Sequence, residues 1–265
     1  MGRYRLLDKI AVVTGASSGI GRATTLALAE RGAHLVLASR NTPALEQLAA
    51  QIRSLGRQAL VVSTDVSQKE QVDRMVQKTT DHFGKVDILV SNAGQYIRSP
   101  IVDLAIADLE HSMAVNFYSH VYAVMAVLPH MLKQNAGHIV FNATMDAKKG
   151  LPPDTPYVTA KFALSGFSDV LRQELRGTGV RVTSLYVGRV DTPLIENLTV
   201  PWISAKIPAE AVARAIVRAI ERGSREVFMP PSGDRIVLPE RICPRPGRLG
   251  GEVFPSGRLG KGGLK

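Results

Sequence analysis

Between residues 9 and 21 the chain reads KIAVVTGASSGIG, and few arrangements accept such a segment. Lys9 to Thr14 is a short apolar run of the kind found in a strand buried on both faces. It enters the turn Gly15-Ala16-Ser17-Ser18-Gly19-Ile20-Gly21, and a helix is expected from about Ile20 to Arg31. Glycines allow a tight turn and a close backbone approach to a ligand, while the start of a helix directs free N–H groups and a positive dipole end at a phosphate. A buried strand, a glycine turn and a helix in this order point to a parallel α/β sheet whose first turn takes the pyrophosphate of a dinucleotide.

The rest of the chain repeats the alternation. Ala33 to Ala38 predicts a second strand, with Thr42 and Pro43 opening a helix to about Leu55. Gln58 to Ser63 predicts a third strand followed by Asp65 and Val66, and Ser67 with Glu70 has the S-x-x-E spacing of a capping box for a helix ending near Phe83. Val86 to Val90 runs into Asn92-Ala93-Gly94, a loop at the carboxyl end of a strand, where doubly wound sheets bind ligands. A long helix is expected from Ala105 to about Lys133, carrying Asn116 and a kink at Pro129. His138 to Asn142, closed by Ala143-Thr144, and Val180 to Tyr186 predict strands five and six. Pro208 to Arg222 predicts a last helix, and Arg225 to Phe228 a seventh strand. Such alternation predicts a doubly wound, Rossmann-like parallel sheet with helices on both faces. It forms one domain over residues 1–230, with a lid at about 192–207 and a basic Gly/Pro-rich tail over 231–265.

Three positions within this frame carry chemistry. An NAD enzyme usually places an acid at the end of its second strand, to meet the adenosine ribose hydroxyls; here Ser39 and Arg40 stand there. Arg offers a planar fork for a 2′-phosphate and Ser39 brings no repulsion, so the pair points to NADP(H). Thr155 can cap a helix running to about Arg176, with Pro156 in its first turn, and Tyr157 and Lys161 fall one turn apart on it. An ammonium beside a phenol favours the phenolate, and such a pair can handle a proton near neutral pH. Asn116, inside a helix, must have its hydrogen bonds met; structural satisfaction and a functional role are both open.

Composition narrows the partners. Cys243 is the only cysteine, so neither an intramolecular disulfide nor a multi-cysteine metal site can form, and the six histidines lack paired-ligand spacing, so no metal is expected. The longest apolar stretches fall short of a bilayer span and Met1 to Val13 lacks a signal-peptide layout, so a cytoplasmic protein without a membrane span is expected. Of the formal charge of +10, residues 241–265 contribute +5 through six Lys/Arg against one Asp/Glu. Gly and Pro fill much of that tail and Phe254 is its only aromatic residue, so a solvated end is favoured over an arm for nucleic acid or an anionic membrane.

Together, Thr14-Gly15-x-x-x-Gly19-x-Gly21, Asn92-Ala93-Gly94, Asn116, a hydroxyl residue thirteen before the tyrosine, and Tyr157-x-x-x-Lys161 resemble the single-domain short-chain dehydrogenase/reductase family, over residues 6 to 229. The resemblance implies Tyr157 as general acid/base, Lys161 on the nicotinamide ribose while lowering the tyrosine pKa, Thr144 bonded to the substrate oxygen, and Asn116 supporting a water-mediated proton path to Lys161. For the cofactor it implies Gly15, Ser17, Ser18, Gly19, Ile20 and Gly21 at the pyrophosphate, Asp65 and Val66 at adenine, Asn92, Ala93 and Gly94 behind the ribose, and Val190 and Thr192 near the carboxamide. Two positions depart from the family pattern: Thr144 stands where members mostly carry Ser, and Val187 where they commonly carry Pro.

The implied reaction is hydride transfer between nicotinamide and a carbonyl carbon or secondary alcohol, in a homodimer or homotetramer. Ile97, Leu151, Leu194, Ile195, Leu198 and Trp202 lie on segments flanking the family's substrate cleft and suggest an apolar ketone or aldehyde. The alternative is a non-catalytic NADP-binding sensor or scaffold on the same fold.

Overall fold

The computed structural model describes residues 4–195 and 206–230; the 231–265 tail, Leu198 and Trp202 lie outside the described residues. Seven strands form one parallel sheet: β1 (Ile10–Thr14), β2 (His34–Ser39), β3 (Ala59–Ser63), β4 (Ile88–Ser91), β5 (Gly137–Thr144), β6 (Val180–Val187) and, after the two-residue strands β7 (Val190–Asp191) and β8 (Ile207–Pro208), β9 (Glu226–Met229). Their order is β3-β2-β1-β4-β5-β6-β9, the doubly wound arrangement expected from the alternation.

β1 lies inside the sheet, between β2 and β4, with all five residues buried, and its alternate side chains go to opposite layers. Val13 joins Leu35 and Leu37 of β2 in a core under helices α1 (Gly19–Glu30), α2 (Thr42–Ser54) and α7 (Ala209–Arg222). Val12 and Val36 belong to the opposite core, under α3 (Lys69–Phe83), α5 (Ser119–Lys133) and α6 (Thr155–Glu174). Leu37 is fully buried, so Leu37→Ala should cost about 2–5 kcal/mol of stability.

The direction of winding reverses between β1 and β4, so the loops leaving their carboxyl ends part and open a crevice. Hydrogen bonds from the Asn92 and Ala93 amides to Thr14 Oγ1, at 3.0 and 3.1 Å, hold its floor together. Asn92 Nδ2 donates to the Thr14 carbonyl at 3.1 Å, and Asn142 Nδ2 donates to Asn92 Oδ1 at 2.8 Å. Asn92 thereby ties β1, β4 and β5 at their carboxyl ends.

Three local expectations are corrected. Ser67 does not cap α3: its hydroxyl donates to Asp65 Oδ1 at 2.7 Å, and the N-cap is Gln68. Asp154 rather than Thr155 is the N-cap residue of α6, and its carboxylate is engaged elsewhere. The long helix expected from Ala105 to Lys133 is interrupted: α4 (Ile106–Met113) passes through a π-helical turn, Ala114–Tyr118, before α5. Such turns insert a residue into the i→i−4 ladder and re-aim the side chains they carry. Asn116 lies in this one, fully buried.

Candidate active site

A cleft of about 1180 Å³ runs along the carboxyl edge of the sheet. One end is lined by Gly15, Ser17, Ser18, Gly19 and Ile20, with Ser39, Arg40, Asp65 and Val66 farther out; the other is lined by Thr144, Tyr157 and Lys161. Asn92, Ala93, Gly94, Asn116, Val190 and Thr192 line the same cleft. It therefore brings together every catalytic and cofactor residue expected from the sequence except Gly21.

Gly21 is buried behind the turn and does not line the cleft. A Cβ there would come within 2.1 Å of the Gly15 carbonyl oxygen and 2.7 Å of Asn92 Nδ2, so its role is close packing of α1 against the turn. Gly15 has φ +65°, a left-handed conformation that disfavours other residues. The turn so formed leaves the start of α1 facing the cleft, and the N-cap Ser18 makes no side-chain capping bond. First-turn amides that lack a side-chain acceptor, at the positive end of a helix dipole, suit a diphosphate. The residues present thus fit a dinucleotide.

Farther out, Ser39 Oγ accepts from the Asn41 amide at 3.1 Å, and Asn41 caps α2 by accepting from the Ala44 amide. Burial works to raise the Asp65 pKa, but hydrogen bonds from Ser67 and the Arg40 and His111 charges outweigh it, and the net direction is down. Arg40 itself is exposed at the cleft edge.

At the inner end, Tyr157 and Lys161 project together from α6, as their four-residue spacing requires. Lys161 Nζ is 5.8 Å from the centroid of the Tyr157 ring and donates to the Asn142 carbonyl at 3.1 Å. Burial disfavours its ammonium and pushes the pKa down to about 8. Burial also lifts the Tyr157 pKa well above that of an ordinary phenol; the Asp146, Tyr96 and Asp154 groups add to the rise, and the hydrogen bond with Thr144 opposes it. Without cofactor, burial is the largest influence on the phenol, and it acts opposite to the lowering expected of a neighbouring ammonium.

The π-helical turn sets Asn116 against the loop after β4. Its Nδ2 donates to the Gln95 carbonyl at 2.9 Å and to Ser112 Oγ at 3.1 Å, and its Oδ1 accepts from the Gln95 amide at 3.0 Å. A Cβ on Gly94 would lie 2.9 Å from Asn116 Oδ1 and 3.8 Å from Lys161 Nζ, so Gly94 stands between the two. Thr144 Oγ1 is placed to donate to Asp146 Oδ2 at 3.1 Å or the Val187 carbonyl at 3.4 Å.

Three lining residues escaped the sequence reading. Tyr96 sets the edge of its ring on Tyr157 and donates to Asp154 Oδ2, while Arg98 Nε donates to Asp154 Oδ1 at 2.9 Å. Asp146 follows Thr144 by two residues and faces the cleft. Its carboxyl pKa is raised by burial. Of the apolar residues proposed for a substrate wall, Leu151, Leu194 and Ile195 line the cleft and Ile97 does not. No group of three or more His, Cys, Asp or Glu side chains that could hold a metal occurs among the described residues.

Comparison with known proteins agrees with this fold. Residues 9–200 match the family model for short chain dehydrogenase. An uncharacterized oxidoreductase of Staphylococcus epidermidis is 38% identical over 220 residues, covering 83% of this chain and 94% of that protein. An uncharacterized oxidoreductase of Staphylococcus aureus is 37% identical over 219 residues, with 83% and 94% covered. Among solved structures, an alcohol dehydrogenase from the archaeon Thermococcus sibiricus, complexed with 5-hydroxy-NADP, superposes with a TM-score of 0.76 at 26% identity, covering 83% of this chain and 95% of that one. A levodione reductase shares the fold, with a TM-score of 0.80 at 24% identity and 86% and 98% covered.

Proposed function

The chain belongs to the short-chain dehydrogenase/reductase family, and from that premise we propose that it is an NADPH-dependent oxidoreductase acting on a ketone or aldehyde and, in reverse, on a secondary alcohol. The observation that carries this reading is one continuous cleft, with the amides of α1 and Arg40 at one end and Thr144, Tyr157 and Lys161 at the other. A bound nicotinamide supplies or accepts the hydride. The chain's own part is to orient and to move a proton. Tyr157, held as a phenol, donates its proton to the carbonyl oxygen as that oxygen takes on charge. Thr144 turns its hydroxyl to the same oxygen. Lys161 would hold the ribose hydroxyls of a bound nicotinamide, and Gly94 lies between it and Asn116, which a water could link toward solvent.

NADP over NAD rests on Ser39 and Arg40 at the end of β2, where no acid opposes a 2′-phosphate. The neighbouring alcohol dehydrogenase bound to 5-hydroxy-NADP supports the same choice. Leu151, Leu194 and Ile195 supply an apolar wall. The family likeness also carries a homodimer or homotetramer in the cytoplasm, with the tail a solvated end. No helix among the described residues is long and apolar enough to cross a membrane.

The test is to assay purified protein with NADPH against a broad carbonyl panel, and with NADP⁺ against the matching alcohols. Turnover is expected in both directions. Intact cofactor binding with no turnover anywhere would favour the sensor or scaffold reading.

A further inference from the structure

Two carboxylates stand on the substrate side of Tyr157, and they are not equivalent. Asp154 has both oxygens occupied, one by the Tyr96 hydroxyl and the other by Arg98 Nε. Asp146, on the short turn Met145–Ala147, receives one donor, Thr144 Oγ1 at 3.1 Å on Oδ2; among the described residues no hydrogen bond reaches Oδ1. Its own amide donates to Thr144 Oγ1 at 3.3 Å, which fixes carboxylate and hydroxyl side by side at the cleft wall.

A threonine hydroxyl has one proton. When Thr144 turns that proton to the substrate oxygen, Asp146 loses its donor in a half-buried site, and an unpartnered buried carboxylate is costly. A substrate that brings a donor of its own relieves that cost. Oxygen or nitrogen on the carbon next to a carbonyl stands about one hydrogen-bond length from the carbonyl oxygen, which matches the separation of Asp146 Oδ2 from Thr144 Oγ1. We propose that Asp146 is a specificity-determining residue that accepts a hydrogen bond from a hydroxyl or ammonium group on the carbon adjacent to the reacting carbonyl, so that the substrate is an α-hydroxy or α-amino carbonyl compound. The inference deepens the reductase reading and rests on it. It replaces a wholly apolar substrate with one polar at the reacting end and apolar toward Leu151, Leu194 and Ile195. Asp146 itself feels two opposed charges, Asp154 raising its pKa and Arg189 lowering it.

The experiment compares kcat/KM for NADPH-dependent reduction of matched ketones, one bearing an α-hydroxyl, one an α-ammonium and one an α-methyl, as in acetoin, its amino analogue and methyl isopropyl ketone, each extended to longer chains. Wild type should prefer a donor-bearing member by about 10- to 100-fold, the range for a hydrogen bond to a charged group. Asp146→Leu should bring that ratio to within about 3-fold of unity, whereas Asp146→Asn, isosteric and still an acceptor, should keep a hydroxyl preference and lose an ammonium one. Melting temperature and NADPH binding check that each variant is folded. A wild type without donor preference, or a ratio unchanged in Asp146→Leu, overturns the inference and leaves the reductase reading standing. Failure to reduce any ketone in any set, with NADPH bound, overturns both.

Discussion

The ring of Tyr96 meets that of Tyr157 edge-on, centroids 4.9 Å apart and planes at 77°, while its hydroxyl donates to Asp154 at 2.5 Å. Asp154 is the N-cap residue of α6, the helix that presents Tyr157, so one side chain braces both the ring and the helix start. Tyr96→Phe keeps the ring and loses the hydroxyl, and should lower kcat/KM by about 3- to 10-fold. Tyr96→Ala also removes the edge contact and should cost about 10- to 100-fold, since loose placement of a reacting group is expensive. NADPH binding, followed by fluorescence titration, should change little in either. Equal losses in the two variants would place the contribution on the hydroxyl alone.

Tyr157→Phe removes the transferable proton and almost no volume. Turnover should fall by roughly 10²- to 10⁴-fold with NADPH binding retained. Steady-state rates beside the cofactor's dissociation constant make the check, and a near-normal rate would sink the assignment.

Thr144 is read through its hydroxyl, which lies between Asp146 and the Val187 carbonyl. Thr144→Ser keeps that group and should stay within about 3-fold of wild type. Thr144→Ala should lose about 10- to 1000-fold in kcat/KM, the scale for losing one oriented donor at a developing charge. Equal activity in the Ser and Ala variants would leave Thr144 a structural role only.

Burial of Lys161 links stability to pH in a definite direction. Its pKa is about 8 folded and 10.5 as an ordinary lysine, so between those values the unfolded chain binds more protons. Stability should therefore rise as pH passes from about 8 toward 10, relieving a burial cost that is fully present below 8. Above about 10, buried Tyr157 works the other way, because only the unfolded phenol releases its proton there. Urea unfolding at a series of pH values should show the rise in wild type and its absence in Lys161→Met, which replaces the ammonium by an apolar group of similar length. The same rise in both would assign it to another group.

Much of this architecture is legible in the chain because it is local. The run Lys9 to Thr14, the glycine turn and the helix after it are adjacent in sequence, and the alternation of strand and helix leaves little freedom of topology. Tyr157 and Lys161 need only a helix to meet. What escaped depends on partners far apart: Tyr96 reaches Asp154 across 58 residues, and Asn92 joins Asn142 across 50. The capping box at Ser67 failed because α3 begins one residue later than the S-x-x-E spacing requires, with Gln68 at the N-cap, and the Ser67 hydroxyl turns to Asp65. The π-helical turn at Asn116 left no mark in the apolar period, since one extra residue shifts a helical face by less than a third of a turn. The rise that burial imposes on the Tyr157 pKa was not legible, because spacing shows that a lysine is near and says nothing of how much water both groups have lost.

The proposed preference for NADP rests on the end of β2, where Ser39 and Arg40 stand in place of the acid usual in an NAD enzyme. Ser39 is half-buried, its Oγ held by the Asn41 amide, and Arg40 is exposed at the rim of the cleft. Charge-assisted bonds from a guanidinium to a phosphate discriminate by about 1–3 kcal/mol. At a factor of ten for each 1.4 kcal/mol, that is about 5- to 150-fold in favour of NADPH. Ser39→Asp should reverse the preference, because its carboxylate repels a 2′-phosphate and accepts hydrogen bonds from the free ribose hydroxyls of NADH. Arg40→Ala should weaken NADPH and spare NADH. It should also let the Asp65 pKa rise, since the Arg40 charge is one of the influences holding it down. Dissociation constants for both cofactors, measured for wild type and both variants at one ionic strength, make the comparison, because salt screens an exposed charge contact. If wild type binds NADH as tightly as NADPH, or Arg40→Ala weakens both cofactors equally, Arg40 does not read the phosphate and the choice of NADP fails.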